Sequence, residues 1–142
     1  MTDAPRITVE ESPDPAARAA VRDGLAAANL AAHGRRVPRG ERWVVARDAA
    51  GEVTGGAKCA LGWGWLYVDW LWVAEAMRGQ GLGALLLAEA EALARREGCV
   101  GVHLHTISFQ APGFYRRQGY EEVARLADMP PGATHFWFTK RL

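Results

Sequence analysis

Residues 6–10 (RITVE) alternate apolar and polar side chains, and a period of two predicts a short strand. Ser12 follows as an N-cap with Pro13 at the first helical position, and the Ala-rich run over residues 14–32 predicts a helix by propensity. Gly34 ends that helix and Pro38 blocks its continuation, so residues 33–41 read as a loop or a broken second helix. Residues 42–48 (RWVVARD) and 52–61 form a predicted hairpin turned at Ala49-Ala50-Gly51. Gly62, Trp63 and Gly64 turn the chain again. Residues 65–73 (WLYVDWLWV) are its most apolar and aromatic run. Turn signals bound them and they are too short for most helices, so they predict a central strand.

The period then changes. Leu85, Leu86, Leu87, Ala90, Leu93 and Ala94 fall at helical spacing within residues 83–97, and Gly98 closes the run. Residues 100–107 predict a buried strand, and residues 109–118 a short helix ended by Gly119. Residues 120–126 and 135–140 predict two final strands, separated by Met129-Pro130-Pro131-Gly132. The order β-α-(α)-β-β-β-α-β-α-β-β implies a mixed α/β sheet with antiparallel hairpins and helices on both faces. With 142 residues, no internal repeat and no low-complexity linker, residues 1–142 read as one domain.

Composition narrows the partners. The formal net charge is +1, with 49% hydrophobic and 23% charged residues. No basic stripe points to nucleic acid, and no polybasic or amphipathic segment points to a membrane surface. The acidic stretch MTDAPRITVEES has no apolar core, so no leader is expected there. No apolar run approaches the ~20 residues that span a bilayer. Cys59 and Cys99 form no CxxC pair and read as buried free thiols of a cytoplasmic chain.

The densest chemical signal is Arg78-Gly79-Gln80-Gly81-Leu82-Gly83, between the central strand and the helix after it. Glycine tolerates positive φ and lets backbone approach a ligand closely. The first amides of a helix lack partners within it, and the macrodipole there is positive. Together these make a site for phosphate or pyrophosphate, to which Arg78 adds a charged donor fork. Gly79-x-Gly81-x-x-Ala84 also fits the dinucleotide fingerprint. That fold wants an acidic residue roughly 20 positions on, where this chain has His103-Leu104-His105-Thr106. A Walker A loop is excluded, since no Gly-Lys-Ser/Thr follows.

The segment Val73-Ala74-Glu75-Ala76-Met77-Arg78-Gly79-Gln80-Gly81-Leu82-Gly83 resembles the acetyl-CoA motif of the GNAT acetyltransferase superfamily. That motif is Gln/Arg-x-x-Gly-x-Gly/Ala after a bulged strand, and Arg78, Gly81 and Gly83 match it. A second element, Ser108-x-x-Ala111-x-x-Phe114-Tyr115-x-x-x-Gly119-Tyr120, resembles the family's Asn-x-x-Ala-x-x-(Leu/Phe)-Tyr-x-x-x-Gly-Phe signature. Ser108 replaces the usual Asn, and Tyr120 the usual Phe. The resemblance in element order covers nearly the whole chain.

The resemblance implies a GNAT-like fold, its mostly antiparallel twisted sheet splayed between strands 4 and 5. It implies acetyl-CoA as co-substrate, no metal, and acetyl transfer to a primary amine of a small molecule, peptide or protein. The pyrophosphate would sit on the amides of Arg78, Gly79, Gln80, Gly81, Leu82, Gly83 and Ala84. Ser108, Ala111, Phe114 and Tyr115 would complete the cofactor side. The acetyl carbonyl is expected near a bulge after the fourth strand, polarised by the amide of Val73. Tyr115 matches the family's general acid. It would protonate the departing thiolate or position the sulfur. A non-catalytic acyl-CoA-binding module and a nucleotide-binding regulator are the rival functions.

A base must take the amine's proton. With a strict period of two, Tyr67, Asp69, Leu71 and Val73 share one face of the central strand. A carboxylate in so apolar a run needs an explanation, because an unpaired buried charge is costly. Asp69 is therefore the candidate base, or else a structural carboxylate accepting neighbouring N–H groups. Glu75 is the alternative base, in the connecting loop. His103 and His105 alternate along one strand; without a third ligand nearby in sequence they predict core or cleft-lining imidazoles, with no metal. Of the six tryptophans, Trp63, Trp65, Trp70 and Trp72 cluster around one strand. They read as packing or a homodimer surface, or as an aromatic wall for the acceptor, with packing favoured for Trp70 and Trp72. Asn29 and His33 share a helix face, and Arg35, Arg36, Arg39 and Arg42 flank the loop that in this family lines the acceptor site.

Overall fold

The computed structural model describes residues 4–142; residues 1–3, the start of the acidic N-terminal stretch, lie outside the described residues. The chain divides into two compact units, Met1–Arg36 and Val37–Leu142.

In the first unit, residues 6–10 carry no regular secondary structure and are not the expected strand. Alternation supplies a face but not a neighbour, and Ile7 and Val9 are exposed. The helix α1 spans Pro15–His33. Its N-cap is Asp14, not Ser12, and the Asp14 carboxylate accepts the Ala17 N–H at 2.9 Å. Two prolines decide this. Starting at Pro13 would put Asp14 in helical conformation directly before Pro15, which proline disfavours. Asp14 instead stays extended, at φ −62° and ψ 159°. Gly34 ends the helix as expected, its N–H bonded to the Leu30 carbonyl at 2.8 Å.

The second unit is a six-stranded sheet with β1 (Gly40–Arg47), β2 (Val53–Gly62), β3 (Trp65–Val73), β4 (Gly101–Ile107), β5 (Glu121–Ala127) and β6 (Thr134–Arg141). The spatial order is β1-β2-β3-β4-β6-β5. Every neighbouring pair is antiparallel except β3 with β4. A 3-10 turn, Glu75–Met77, leads from β3 to α2 (Leu82–Arg96), and α3 spans Pro112–Arg117. This is the expected mixed α/β architecture without its first strand, so the fourth and fifth expected strands are β3 and β4.

Two irregularities shape the sheet. The parallel pairing of β3 with β4 runs only from Trp65 opposite Gly101 to Val68 opposite Leu104. Beyond that point β3 follows β2, β4 follows β6, and the sheet splays. At the same place β3 bulges. Lys58 faces Trp70 while Cys59 faces Val68, so Asp69 is an extra residue. The bulge reverses the alternation. Leu66 and Val68 are buried before it, whereas after it Leu71 packs on the core and Trp70 and Trp72 turn outward. Tyr67, Asp69, Leu71 and Val73 therefore do not share one face, because a strict period of two does not survive an inserted residue.

The core lies between this sheet and its helices. From α2, Leu87, Ala90 and Ala94 meet Leu66, Val68, Val102, Leu104 and Phe138, and Tyr115 of α3 joins them. Cys59 is buried in this core, whereas Cys99 is only partly buried, and both thiols are free. One charge is stapled in. Glu91 of α2 is buried, lies 2.6 Å from Lys140 of β6, and accepts the Tyr120 hydroxyl at 3.3 Å.

Candidate active site

The glycine loop has the geometry an anion site requires. Gly81 caps α2 at φ 83° and Gly79 sits at φ 74°, a region that side chains with a Cβ disfavour. A Cβ on either would meet nothing within 4 Å, so backbone conformation and not packing asks for glycine, and the space over the loop is open. Leu85 is the first amide of α2 to bond back, to the Gly81 carbonyl at 3.1 Å. The N–H groups of Leu82, Gly83 and Ala84 precede it, and no side chain caps them. The Arg78 Nε donates to the Val73 carbonyl at 3.1 Å, and the Gln80 amide donates to the Ala76 carbonyl at 3.0 Å. These bonds tie the loop to its approach. Gly83 lies against its neighbours with room to spare: a Cβ there would make ordinary contacts, 3.5 Å from the Phe114 ring and 3.7 Å from Val73 Cγ2. Thus α3, the end of β3 and the start of α2 meet at one point.

The splay opens a cleft of about 310 Å³, lined by Val68, Asp69, Trp70 and Leu71 of β3, His105 and Thr106 of β4, and Gln110, Ala111 and Tyr115. Three of the sequence candidates, Asp69, Ala111 and Tyr115, are brought together here. Val73 lies further along β3, opposite Gly55. The bulge expected after the strand is within it, at Asp69. Ser108 is engaged elsewhere: its hydroxyl accepts the Thr134 N–H at 3.1 Å and ties the end of β4 to β6.

Tyr115 is almost wholly buried, and burial pushes its phenol up to about 12. Its ring packs against Phe114, Tyr120 and Phe138. Among the described residues the hydroxyl has no hydrogen-bond partner, yet it is not sealed off, and Tyr115 lines the cleft. Asp69 has a partner that sequence reasoning missed. Lys58 Nζ lies 3.1 Å from its carboxylate and 4.4 Å over the Trp70 ring. The lone cation among the apolar and small residues 53–62 was the available signal.

A second omission is His135. It is buried, and its Nε2 lies 2.7 Å from Nδ1 of His105. That spacing is a direct hydrogen bond. The Tyr67 ring stacks on both His103 and His105, at 5.0 and 5.7 Å. Burial lowers the proton affinity of His103, and His105 adds to the effect. For His105, burial comes first and His135 second, with Asp69 opposing them.

Trp43, Trp70 and Trp72 are half exposed, so the packing expected of Trp70 and Trp72 is not what these residues do. With Val45, Val53 and Lys58 they line an apolar groove of about 360 Å³. Trp70 borders both this groove and the splay cleft.

A parallel strand pair that splays beside a bulge, with a glycine loop opening the next helix, defines an acyl-CoA N-acyltransferase fold. The acetyltransferase (GNAT) family matches residues 6–120. Blasticidin-S acetyltransferase of Streptomyces morookaense is 50% identical over 93 residues, covering 65% of this chain and 68% of that protein. An acetyltransferase of Agrobacterium fabrum is 40% identical over 128 residues, covering 90% of this chain and 93% of that protein. The crystal structure of an acetyltransferase from Bacillus cereus superposes with a TM-score of 0.84 at 31% identity, covering 95% of this chain and 98% of that one. The chain belongs to the GNAT acetyltransferase family.

Proposed function

We propose that this acetyltransferase moves an acetyl group from acetyl-CoA to a primary amine of a small molecule by direct attack on the thioester. The observation that carries this is the splay cleft, which gathers Asp69, His105 and Tyr115 around one space where β3 and β4 part. The chain fits the co-substrate in two respects. The loop offers open space and uncapped helix amides for a pyrophosphate. The unpaired edges of β3 and β4 offer backbone groups for an extended arm.

Acetyl-CoA supplies the activated carbonyl carbon and a thiolate leaving group. Arg78, Gly79, Gln80, Gly81, Leu82, Gly83 and Ala84 hold its phosphates. Phe114 buttresses Gly83, Ser108 fixes the strand end, and Ala111 shapes the wall. The expected polarising amide, Val73, stands beyond the bulge, so the N–H groups between Val68 and Leu71 take that role. One well-aimed N–H in such a site contributes about 3 kcal/mol. The Tyr115 hydroxyl donates to the departing sulfur, and its burial keeps it protonated. Asp69 draws the cationic amine into the cleft.

The relative that acts on blasticidin S supports a small-molecule acceptor. The groove of Trp43, Trp70 and Trp72 supports one with a flat or apolar body. The test is thiol release from acetyl-CoA with blasticidin S and a panel of primary amines, beside the Tyr115→Phe variant. Turnover of one or more amines, lowered in that variant, is expected. If CoA raises the melting temperature and no amine turns over, the chain is an acyl-CoA-binding module instead.

A further inference from the structure

His135 Nδ1 faces the Met129 carbonyl at 3.2 Å. A carbonyl only accepts, so this nitrogen carries the proton. In a neutral ring His135 Nε2 is then an acceptor, and at 2.7 Å its partner His105 Nδ1 must donate. That leaves the lone pair of His105 on Nε2, at the opposite edge of the ring. His105 is exposed and lines the splay cleft, and its Nε2 has no hydrogen-bond partner among the described residues. The segment that supplies the Met129 carbonyl is itself pinned. Asp128 N–H donates to the Ala133 carbonyl at 2.8 Å, Ala133 N–H to the Pro130 carbonyl at 2.9 Å, and Gly132 N–H to the Asp128 carboxylate at 3.1 Å.

We infer that His105 Nε2 is the base that takes the proton from the acceptor amine, and that His135 and Met129 are positioning residues that lock the tautomer. This deepens the acetyl-transfer reading and rests on it. Asp69, the carboxylate first put forward for the proton, is held by Lys58. The amine arrives as an ammonium, and His105 Nε2 removes one proton. The freed nitrogen lone pair forms the N–C bond as the C–S bond breaks. The nitrogen loses its second proton, the thiolate gains one, and His105 passes the net proton to solvent. The groups facing His105 favour a neutral ring at rest. Tyr67 and Asp69 face it from β3, His103 adjoins it on β4, and His135 and Trp137 face it from β6. Gln110 and Tyr115 share its cleft, and Lys58 acts on it through Asp69. Of these only Asp69 opposes the effect of burial and His135.

Two readouts test this, one of them without acetyl-CoA. Two-bond proton–nitrogen spectra of histidine-labelled protein at pH 8 should show His105 protonated on Nδ1 and bare on Nε2. His135→Phe removes the acceptor, and the proton should move toward Nε2. His135→Gln offers a carbonyl oxygen in place of the ring nitrogen and should restore the Nδ1 proton. In turnover assays His105→Gln should lower kcat about 10²-fold, with the CoA-induced thermal shift retained. His135→Phe should lower kcat about tenfold at unchanged KM for CoA, and His135→Gln should recover most of it. A His105 ring protonated on Nε2 in the wild type would overturn the proposal. So would a His105→Gln variant within twofold of wild-type kcat with the same pH profile. Failure of the wild type to bind CoA or acetylate any amine would sink the acetyl-transfer reading and the base role with it, while the spectra still decide the tautomer.

Discussion

Lys58 Nζ meets the Asp69 carboxylate at 3.1 Å, at the one residue where β3 bulges. The pair spans the hairpin of β2 and β3 and stands between the aromatic groove and the splay cleft. It sets the charge that His105 and, in the proposed reaction, an incoming amine experience.

Neutralising either partner should therefore move His105 in opposite directions. Asp69 raises the proton affinity of His105 against the larger effects of burial and His135. Asp69→Asn should shift the His105 NMR titration to lower pH. Lys58→Met, which frees the carboxylate, should shift it to higher pH. Asp69→Asn should also raise KM for a cationic amine about two- to fivefold, the size of a partly exposed ion contact worth ~0.5–1 kcal/mol. A titration that moves the same way in both variants would contradict the arrangement.

Stability should fall as pH drops below about 6.5, the ordinary histidine value. His103 and His105 bind protons less readily folded than unfolded, chiefly through burial. Below the unfolded value the unfolded chain takes up protons that the folded chain resists, which draws the equilibrium toward unfolding. Their contribution is fully present above that pH and is lost on acidification toward the lowered folded values. Urea titrations from pH 8 to pH 5 should show the decline, and the double variant His103→Gln, His105→Gln should flatten it.

Tyr115→Phe should separate chemistry from folding. The hydroxyl has no hydrogen-bond partner among the described residues, so its loss should change unfolding free energy by less than about 1 kcal/mol. Thiol release should fall about 10²-fold if the phenol protonates the leaving sulfur. Because burial holds the phenol at about 12, no alkaline loss of activity below pH 10 should trace to Tyr115. Comparing denaturation curves and pH profiles of the two proteins checks all three statements.

Much of this site was legible in the chain. The central strand falls at residues 65–73 as expected, and the glycines of the loop stand where their spacing put them. Local chemistry carries such features. What escaped depends on long-range pairing. Residues 6–10 alternate well, but nothing in five residues says whether a neighbour exists. The resemblance implied a bulge but its place was not readable, because Trp70, Leu71 and Trp72 are all apolar, so a slip of one residue leaves no mark on the pattern. His135 reaches His105 only through the register that sets Trp137 opposite His105 in β4 and β6. Asp69 looked unpaired for the same reason: Lys58 comes to it through the hairpin.

Glycines that look alike in sequence should respond differently to alanine. At Gly81, φ is 83°, so Gly81→Ala should cost about 1–2 kcal/mol and weaken CoA binding. At Gly83 a Cβ finds only ordinary contacts within a helix, so Gly83→Ala should be neutral or stabilise by up to about 1 kcal/mol. At Gly101 a Cβ would lie 2.5 Å from both the Lys140 carbonyl and the Trp65 ring. Backbone cannot yield as a flexible side chain can, so Gly101→Ala should be the most destabilising of the three. Urea midpoints, with CoA titrations for Gly81→Ala, give the order directly.

The buried pair of Glu91 and Lys140 allows a prediction whose sign depends on which charge is left behind. Glu91 is 7% exposed; it holds Lys140 at 2.6 Å and accepts the Tyr120 hydroxyl at 3.3 Å. Lys140 also donates to the Gln118 carbonyl at 2.9 Å, so it joins α2, β6 and the end of α3. Lys140→Met strands a carboxylate in the core and should cost about 3 kcal/mol, the scale for breaking a buried ion pair. Adding Glu91→Gln removes the stranded charge and keeps an oxygen for Tyr120. The double variant should therefore be more stable than Lys140→Met alone, although one residue further from wild type. The isolated Glu91→Gln change should fall between them, because Lys140 is partly exposed and can turn its ammonium toward water. Unfolding free energies of the wild type and the three variants form a double-mutant cycle. If the double variant is no more stable than Lys140→Met, the cost lies in lost packing and not in the unpaired charge.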